Sequence, residues 1–196
     1  MSKTCRVVTL LLLITTLAGC TNANESIHEK IHSRYYNMPS YTAKCNVTIN
    51  SNKTKNTYNL TVTYDSGQHR CRMDYDNMSI ILGETNAQIK KDNTVISAPV
   101  DDSHMIVMLN TFFKSYYEGE NAAMTTGASA NAGSTMLACD IVNPPKFAKS
   151  MKLWIDNKTV TPTALNIYDA DGNEKICIEF TEFKIVSKIE DSIFEF

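Results

Sequence analysis

Residues 41–49 read Tyr-Thr-Ala-Lys-Cys-Asn-Val-Thr-Ile, and this stretch decides the fold class. Apolar or small residues alternate strictly with polar ones, which is the pattern of a β-strand with one buried face. The polar segment 51–56 follows, and alternation then returns from Tyr58 to Tyr64. The sequence therefore predicts an antiparallel hairpin with a polar tip at 51–56.

Similar alternating segments recur along the rest of the chain, separated by turn residues. We count about ten or eleven short strands at hairpin spacing, which is typical of an open or barrel-like antiparallel sheet. The predicted fold class is α+β, with a strongly curved antiparallel sheet, or incomplete barrel, and helices packed on its concave face. The further strand segments are 71–75, 79–82, 87–90, 94–97, 135–142, 151–155, 165–167, 176–185 and 193–196.

Two segments have helical periodicity instead. Residues 24–37 carry apolar residues at i, i+4 and i+8, and Pro39 would end that helix. A second helix is predicted after Asp102 or Ser103, either of which can cap its N-terminus, and it would end at 118–119. Residues 119–134, rich in Gly, Ala, Ser and Thr, are predicted to form a flexible loop.

The second helix carries an unusually Met- and Phe-rich apolar stripe. One interpretation is that the stripe packs in the core, and the other is that it forms a lid over an apolar cavity, since Met-rich surfaces adapt to varied ligands. The stripe, and therefore the set of candidate cavity or lid residues, consists of Met105, Met108, Leu109, Phe112, Phe113 and Tyr116.

The N-terminus has the pattern of a bacterial lipoprotein signal. Lys3 and Arg6 precede an apolar run over 7–17, which is too short to span a bilayer, and Leu17-Ala-Gly-Cys20 then resembles a lipobox. The predicted organisation is a cleaved signal peptide at 1–19, a lipidated Cys20 with a tether and first helix at 20–40, and a half-barrel domain at 41–196. The expected location is outside the cytoplasm, anchored to a membrane by acyl chains.

Composition limits the function classes. The 196 residues include 19 basic and 21 acidic side chains, giving a formal charge of −2, so no basic surface for nucleic acid is expected. With Cys5 in the signal peptide and Cys20 lipidated, four cysteines remain, and none forms a Cys-x-x-Cys pair. The sequence leaves open whether these four are small buried hydrophobic residues or disulfide partners.

Motifs for catalysis are nearly absent. His28-Glu29-Lys30-Ile31-His32 matches the zinc-hydrolase pattern H-E-x-x-H, in which the Glu activates water, but its segment is short and largely polar. A solvated helix face is the favoured interpretation, with a zinc hydrolase as the alternative. Asp169-Ala-Asp-Gly172 is interpreted as a hairpin turn and not as a calcium loop. We expect no metal, no cofactor and no enzymatic activity.

The C-terminal part carries a family resemblance. Met151-Lys-Leu-Trp-Ile-Asp-Asn-Lys-Thr-Val-Thr-Pro162, Leu165-Asn-Ile-Tyr-Asp-Ala-Asp-Gly172, and the segments 178–183 and 194–196 resemble the closing strands of the LolA/LolB superfamily. The resemblance implies an incomplete antiparallel barrel wrapped around helices. In members that carry lipoproteins, the barrel interior holds acyl chains.

Within that superfamily, the chain most resembles lipoproteins of the clostridial GerS type, which act in spore germination. This resemblance implies a non-catalytic lipoprotein of the cell or forespore membrane, alone or as a homodimer. It would bind and activate a zinc-dependent N-acetylmuramoyl-L-alanine amidase of the CwlD type, needed for muramic-δ-lactam formation in the spore cortex. The alternative is an anchored carrier or acceptor of lipid or lipoprotein with an apolar cavity. No partner-binding residue is implied by the resemblance.

Overall fold

The computed structural model describes residues 25–51, 53–100, 105, 107–119, 121–127 and 132–196. Within this part of the chain, eleven β-strands, two α-helices and one 3-10 helix form a single sheet with flanking helices. In chain order the elements are α1 (Ile27–Tyr35), β1 (Tyr41–Asn50), β2 (Lys55–Asp65), β3 (Arg70–Tyr75), β4 (Met78–Leu82), β5 (Asn86–Lys91), β6 (Thr94–Pro99), α2 (Leu109–Glu118), β7 (Ala123–Thr126), β8 (Ser134–Asp140), β9 (Ser150–Asp156), β10 (Thr161–Tyr168), β11 (Glu174–Ile185) and the 3-10 helix (Asp191–Phe194).

The sheet consists of two meanders joined at its centre. Its strand order is β6-β5-β4-β3-β2-β1-β11-β10-β9-β8-β7, and every neighbouring pair is antiparallel. The two edge strands are β6 and β7, which are consecutive strands in the chain with α2 between them. They do not pair with each other, so the sheet of the described residues is not closed. The prediction of a mostly antiparallel, unclosed sheet with two helices is confirmed.

The central pair, β1 and β11, runs from Tyr41 opposite Ile185 to Ile49 opposite Ile176. A β-bulge interrupts this ladder, because Lys44 faces Glu182 whereas Cys45 faces Phe180. The extra residue, Thr181, donates a hydrogen bond from Oγ1 to the Lys44 carbonyl at 3.0 Å. A bulge increases the local twist of a sheet, so this one bends the two meanders relative to each other.

One face of the sheet forms the hydrophobic core. Because side chains alternate between faces along a strand, the buried residues of β1, β8 and β9 alternate as predicted, whereas β4 buries three consecutive residues, Ile80, Ile81 and Leu82. The methionine- and phenylalanine-rich α2 region packs into the same core: Met108, Leu109, Phe112 and Phe113 are each at most 2% exposed. Burial of side chains of this size contributes roughly 1.5–3 kcal/mol each.

Helix α1 begins later than predicted because Ser26 caps it. Ser26 accepts from the Glu29 backbone N–H, and the Glu29 carboxylate accepts from the Ser26 N–H at 2.7 Å, which completes a capping box. At the other end, Tyr35 is buried, stacks on Phe113 at 4.6 Å, and donates its hydroxyl to the Val160 carbonyl at 2.8 Å. These contacts join α1 to both α2 and the β9–β10 turn.

Three predicted boundaries are corrected by the structure. Helix α2 begins at Leu109, with Met108 at its N-cap and no side-chain cap, whereas the predicted caps at 102 and 103 lie outside the described residues. The predicted loop at 119–134 contains the short edge strand β7, which pairs with β8. The predicted final strand at 193–196 is wrong, because residues 191–194 form a 3-10 helix.

The C-terminal residues are held against the outer face of β3 by two arginines. The Arg70 guanidinium lies 4.0 Å from the centroid of the Phe194 ring and forms an ion pair with Asp191. Arg72 donates from Nη1 to the Ile193 carbonyl at 2.8 Å. The aromatic and aliphatic residues that looked like a closing strand thus pack by cation–π contact and not by ladder pairing.

The four remaining cysteines are free thiols, and three of them are buried: Cys45, Cys71 and Cys139. Burial raises the pKa of Cys45 to about 12 and that of Cys139 to about 12, and it raises the pKa of Cys71 as well. These thiols stay protonated at neutral pH and behave as small hydrophobic residues, which is the first of the two interpretations given above.

We predict that the folded protein loses stability as the pH rises above about 8.5, because unfolded thiols ionise there while the buried ones remain protonated. Each thiol with a raised pKa lowers the free energy of unfolding by up to about 1.4 kcal/mol for every pH unit above about 8.5. Urea unfolding at pH 7, 9 and 10 under reducing conditions measures this slope. The Cys45→Ala variant should show a shallower slope, and equal stability at all three pH values would contradict the prediction.

Candidate functional site: an apolar cavity and an open sheet edge

The six residues of the predicted apolar stripe divide by burial. Met108, Leu109, Phe112 and Phe113 lie in the core, whereas Met105 and Tyr116 are partly buried against it. None of the six lines the large apolar cavity that the next paragraph describes. From the same segment, Val107 lines that cavity instead. A lid role for the stripe therefore stays a prediction.

The large apolar cavity has a volume of about 740 Å³ and lies where β1 and β3 end and β11 begins. Its apolar wall consists of Ile49, Met73, Tyr75, Val107, Phe147 and Ile176. Ile49 is 42% exposed and Phe147 is 40% exposed, so both contribute apolar surface that solvent reaches. The volume falls within the roughly 300–1,000 Å³ that is usual for small-molecule sites.

Charged groups in this cavity are few, and one of them is paired. Lys53 and Lys175 contribute to its lining, and the Lys175 ammonium lies 2.9 Å from the Asp169 carboxylate. The hydrogen bond from Lys175, with further bonds from Asn173, lowers the pKa of Asp169 to about 2. The lining thus combines an apolar wall with cationic groups, an arrangement suited to an amphiphile with an anionic end.

The second candidate surface is the outer edge of β6, which pairs with no further strand in the described part of the chain. Its residues pair with β5 on one side, and Val95 and Ile96 are 48% and 54% exposed. The strand, Thr-Val-Ile-Ser-Ala-Pro, carries no charged side chain that would discourage pairing with another chain. An uncharged edge with apolar residues on both faces can add a strand from a partner.

The H-E-x-x-H motif lies on α1 and is arranged for helix capping. The Glu29 carboxylate is bound by the backbone N–H and hydroxyl of Ser26, and these bonds lower the pKa of Glu29. His28 and His32 are exposed, with ring centroids 6.5 Å apart. Among the described residues, no group of three or more His, Cys, Asp or Glu side chains could hold a metal ion. The carboxylate would have to release the helix cap to act as a base.

Sequence reasoning missed two residues that line the apolar cavity. Val107 and Phe147 come from connecting segments that have no periodicity, and each joins the cavity only through tertiary packing.

Cys20 and the signal segment 1–19 lie outside the described residues, so the predicted lipidation stays a prediction. In the described part of the chain, no helix is long and apolar enough to cross a membrane.

Comparison with known families decides the membership of this chain. The sequence profile described as "Sporulation protein YdcC-like" matches residues 2–194. The chain belongs to the YdcC-like sporulation family. No curated protein sequence matches it.

Solved structures resemble this YdcC-like chain at low sequence identity. An uncharacterised conserved protein from Thermus thermophilus has a TM-score of 0.53 at 11% identity, covering 87% of this chain and 91% of its own. The LolA superfamily protein NE2245 from Nitrosomonas europaea gives a TM-score of 0.47 at 11% identity, covering 89% of this chain and 98% of its own. The CwlD amidase from Clostridioides difficile in complex with the GerS lipoprotein gives 0.43 at 18% identity, covering 85% of this chain and 100% of the matched chain.

Proposed function

We propose that this YdcC-like protein is a membrane-anchored, non-catalytic lipoprotein that binds and activates a spore-cortex N-acetylmuramoyl-L-alanine amidase of the CwlD type. Membership of a sporulation family supports the cellular process. The GerS lipoprotein, which the sequence resembles, has been solved in complex with the CwlD amidase. In this proposal the amidase supplies the zinc and the catalytic groups, and the outcome is the cortex modification needed for germination.

The observation that carries the proposal is the free, uncharged edge at β6. Exposed Val95 and Ile96 and an unpaired row of backbone groups provide both apolar contact and hydrogen bonds for one strand of a partner. We infer that the amidase adds a strand there. The helices would pack on the concave face of the curved sheet.

A non-catalytic role is supported by the state of the reactive groups. The buried thiols have raised pKa values and are poor nucleophiles at neutral pH. The Glu29 carboxylate, which would serve as the base of a zinc hydrolase, is used in the helix cap. We therefore assign the chemical modification of the spore cortex to the amidase.

Anchoring follows from the N-terminal pattern in this proposal. Residues 1–19 form the cleaved signal peptide, Cys20 carries the lipid, and residues 21–26 tether α1 to an extracytoplasmic membrane surface, such as that of the forespore. The half-barrel of residues 41–196 then presents β6 to an amidase at the same surface.

We predict that Ile96→Lys, alone or with Val95→Lys, weakens amidase binding by at least about ten-fold, because a charge in an edge strand opposes pairing. The measurement is co-purification of the host's amidase with the tagged lipoprotein from sporulating cells, together with the muramic-δ-lactam content of the spore cortex.

Tyr58→Lys is the matched control for this test. Tyr58 is also an exposed strand residue, at 40%, but it lies on β2, inside the strand order, and pairs with Val47 of β1. The control should retain amidase and cortex modification. Full amidase binding by the Ile96→Lys variant, or equal loss in the control, would overturn the assignment to β6.

A second candidate function is an anchored acceptor of acyl chains, and the apolar cavity of about 740 Å³ favours it. A single acyl chain could lie along Met73, Tyr75 and Ile176, with its carboxylate near a lysine. This function would not need the β6 edge, so the two candidates are separable.

For the acyl candidate, Val107→Trp should fill the cavity and weaken binding of a fluorescent fatty acid such as cis-parinaric acid by about ten-fold or more. Val142→Trp is the control, because Val142 is 37% exposed and lies outside this cavity. Absence of binding by the unmodified protein, or equal effects of both substitutions, would exclude an acyl-binding role for the cavity.

From the proposed lipid anchor, we predict that Cys20→Ala abolishes incorporation of labelled palmitate and releases the protein from the membrane fraction, because the thioether link requires the Cys20 thiol. Cys5→Ala is the control, since Cys5 lies in the segment expected to be removed. Retained palmitate in the Cys20→Ala variant would show that lipidation occurs elsewhere.

A further inference from the structure

Four aromatic rings form a continuous row at the junction of α1 and α2. His28, His32 and Tyr36 follow one another at intervals of four residues on α1, and Tyr117 comes from α2. The His32 ring stacks on Tyr36 at 4.7 Å, and Tyr117 meets both His32 and Tyr36 edge-on at 5.5 Å. The three rings of α1 are exposed, and Tyr36 is 59% exposed. His32 covers one face of the Tyr36 ring, and the rest of the exposed aromatic surface of the row faces solvent instead of the core.

A cavity of about 390 Å³ adjoins this row and shares Tyr36 and Tyr117 with it. The remaining lining is mainly polar and comes from both helices, with Asn37, Asn110, Lys114 and Glu118 as its polar residues. One lysine and one glutamate balance each other, so the cavity favours neither an anion nor a cation. A neutral ligand with many hydrogen-bonding groups fits this charge pattern best.

Two lining residues carry buried polar atoms that lack partners. The Asn110 side-chain oxygen and the Tyr117 hydroxyl have no hydrogen-bond partner among the described residues. An unsatisfied buried polar atom destabilises the protein, and a ligand that supplies the missing bonds recovers that cost. Burial also raises the pKa of Tyr117 to about 12, so its hydroxyl remains a donor at neutral pH.

The combination of exposed aromatic faces with amide and hydroxyl groups matches an N-acetylated sugar. The apolar C–H face of a pyranose ring packs on an aromatic ring face, as apolar groups do on the faces of Tyr. Both atoms are enclosed, so a ligand reaches them only when the Asn110 and Tyr117 side chains turn toward the cavity. An acetamido N–H can then donate to the Asn110 oxygen, and the acetamido carbonyl can accept from the Tyr117 hydroxyl.

We propose that the α1–α2 junction, with Tyr36 as platform and Asn110 and Tyr117 as polar contacts, binds an N-acetylhexosamine unit of the peptidoglycan strand. This inference rests on the proposed function, because the amidase partner acts on that polymer. The lipoprotein would then hold a glycan strand at one surface while β6 holds the enzyme.

The test uses full-length lipoprotein solubilised in detergent and two probes, tetra-N-acetylchitotetraose in calorimetric titration and purified cortex glycan strands in a pelleting assay. Tyr36→Ala should weaken binding of both probes by about ten-fold, since the stacking surface is removed. Tyr117→Phe retains the ring but removes the hydroxyl, and it should weaken binding by about five-fold. Tyr58→Ala, an exposed tyrosine on β2, should bind like the unmodified protein.

Failure of the unmodified protein to bind either probe, or unchanged binding by both Tyr36→Ala and Tyr117→Phe, would overturn the inference. In the unlipidated Cys20→Ala background, loss of flotation with phosphatidylglycerol vesicles on Tyr36→Ala substitution, with glycan binding unchanged, would assign the row to the membrane instead.

Amidase co-purification in the same variants separates this inference from the proposed function. Tyr36→Ala should keep the amidase, whereas Ile96→Lys should lose the amidase and keep the glycan. Glycan binding without any amidase binding would refute the proposed function and support the site on its own.

Discussion

The pairing of β1 with β11 is the constraint on which the rest of the structure depends. It joins two meanders that otherwise share no ladder among the described residues, and its register fixes which side chains of both strands face the core. A slip of β11 by one residue would turn Ile178, the partner of Val47, to the solvent face while Val47 stayed in the core. The bulge at Lys44, held by the Thr181 hydroxyl, sets where the two meanders bend. The free edge at β6 follows from this arrangement, because the two meanders diverge from the central pair and end apart.

The helices complete a core that the sheet cannot enclose by itself. Tyr35 links α1 to Phe113 of α2 by stacking and to the β9–β10 turn by a hydrogen bond. That turn places Val160 at a φ of +55°, a conformation that a β-branched residue rarely adopts. Its carbonyl is the acceptor for Tyr35, so one strained turn residue orients the helix that carries the aromatic row.

Most strands could be predicted because alternation reports burial directly. Residues 41–49 and 151–155 alternate cleanly, and both are strands with one buried face. Strand β7 was missed because Ala-Met-Thr-Thr has little periodicity and is ordered by its pairing with β8. Residues 194–196 were assigned to a strand because Phe-Glu-Phe alternates, but their rings pack on arginines. The cavities were not predictable, since Val107 and Phe147 acquire their role only from the space between elements.

The uncharged β6 edge also has a consequence for the protein when it is alone. An uncharged edge strand with exposed apolar side chains is a template for self-association as well as for a partner, and the one protective residue of β6 is Pro99 at its end. A copy made in excess of its partner would keep Val95 and Ile96 in water and would aggregate or be degraded. Under the proposed function, expression of this chain would therefore need to match that of the amidase in timing and amount, and its abundance in the cell would follow that of the amidase.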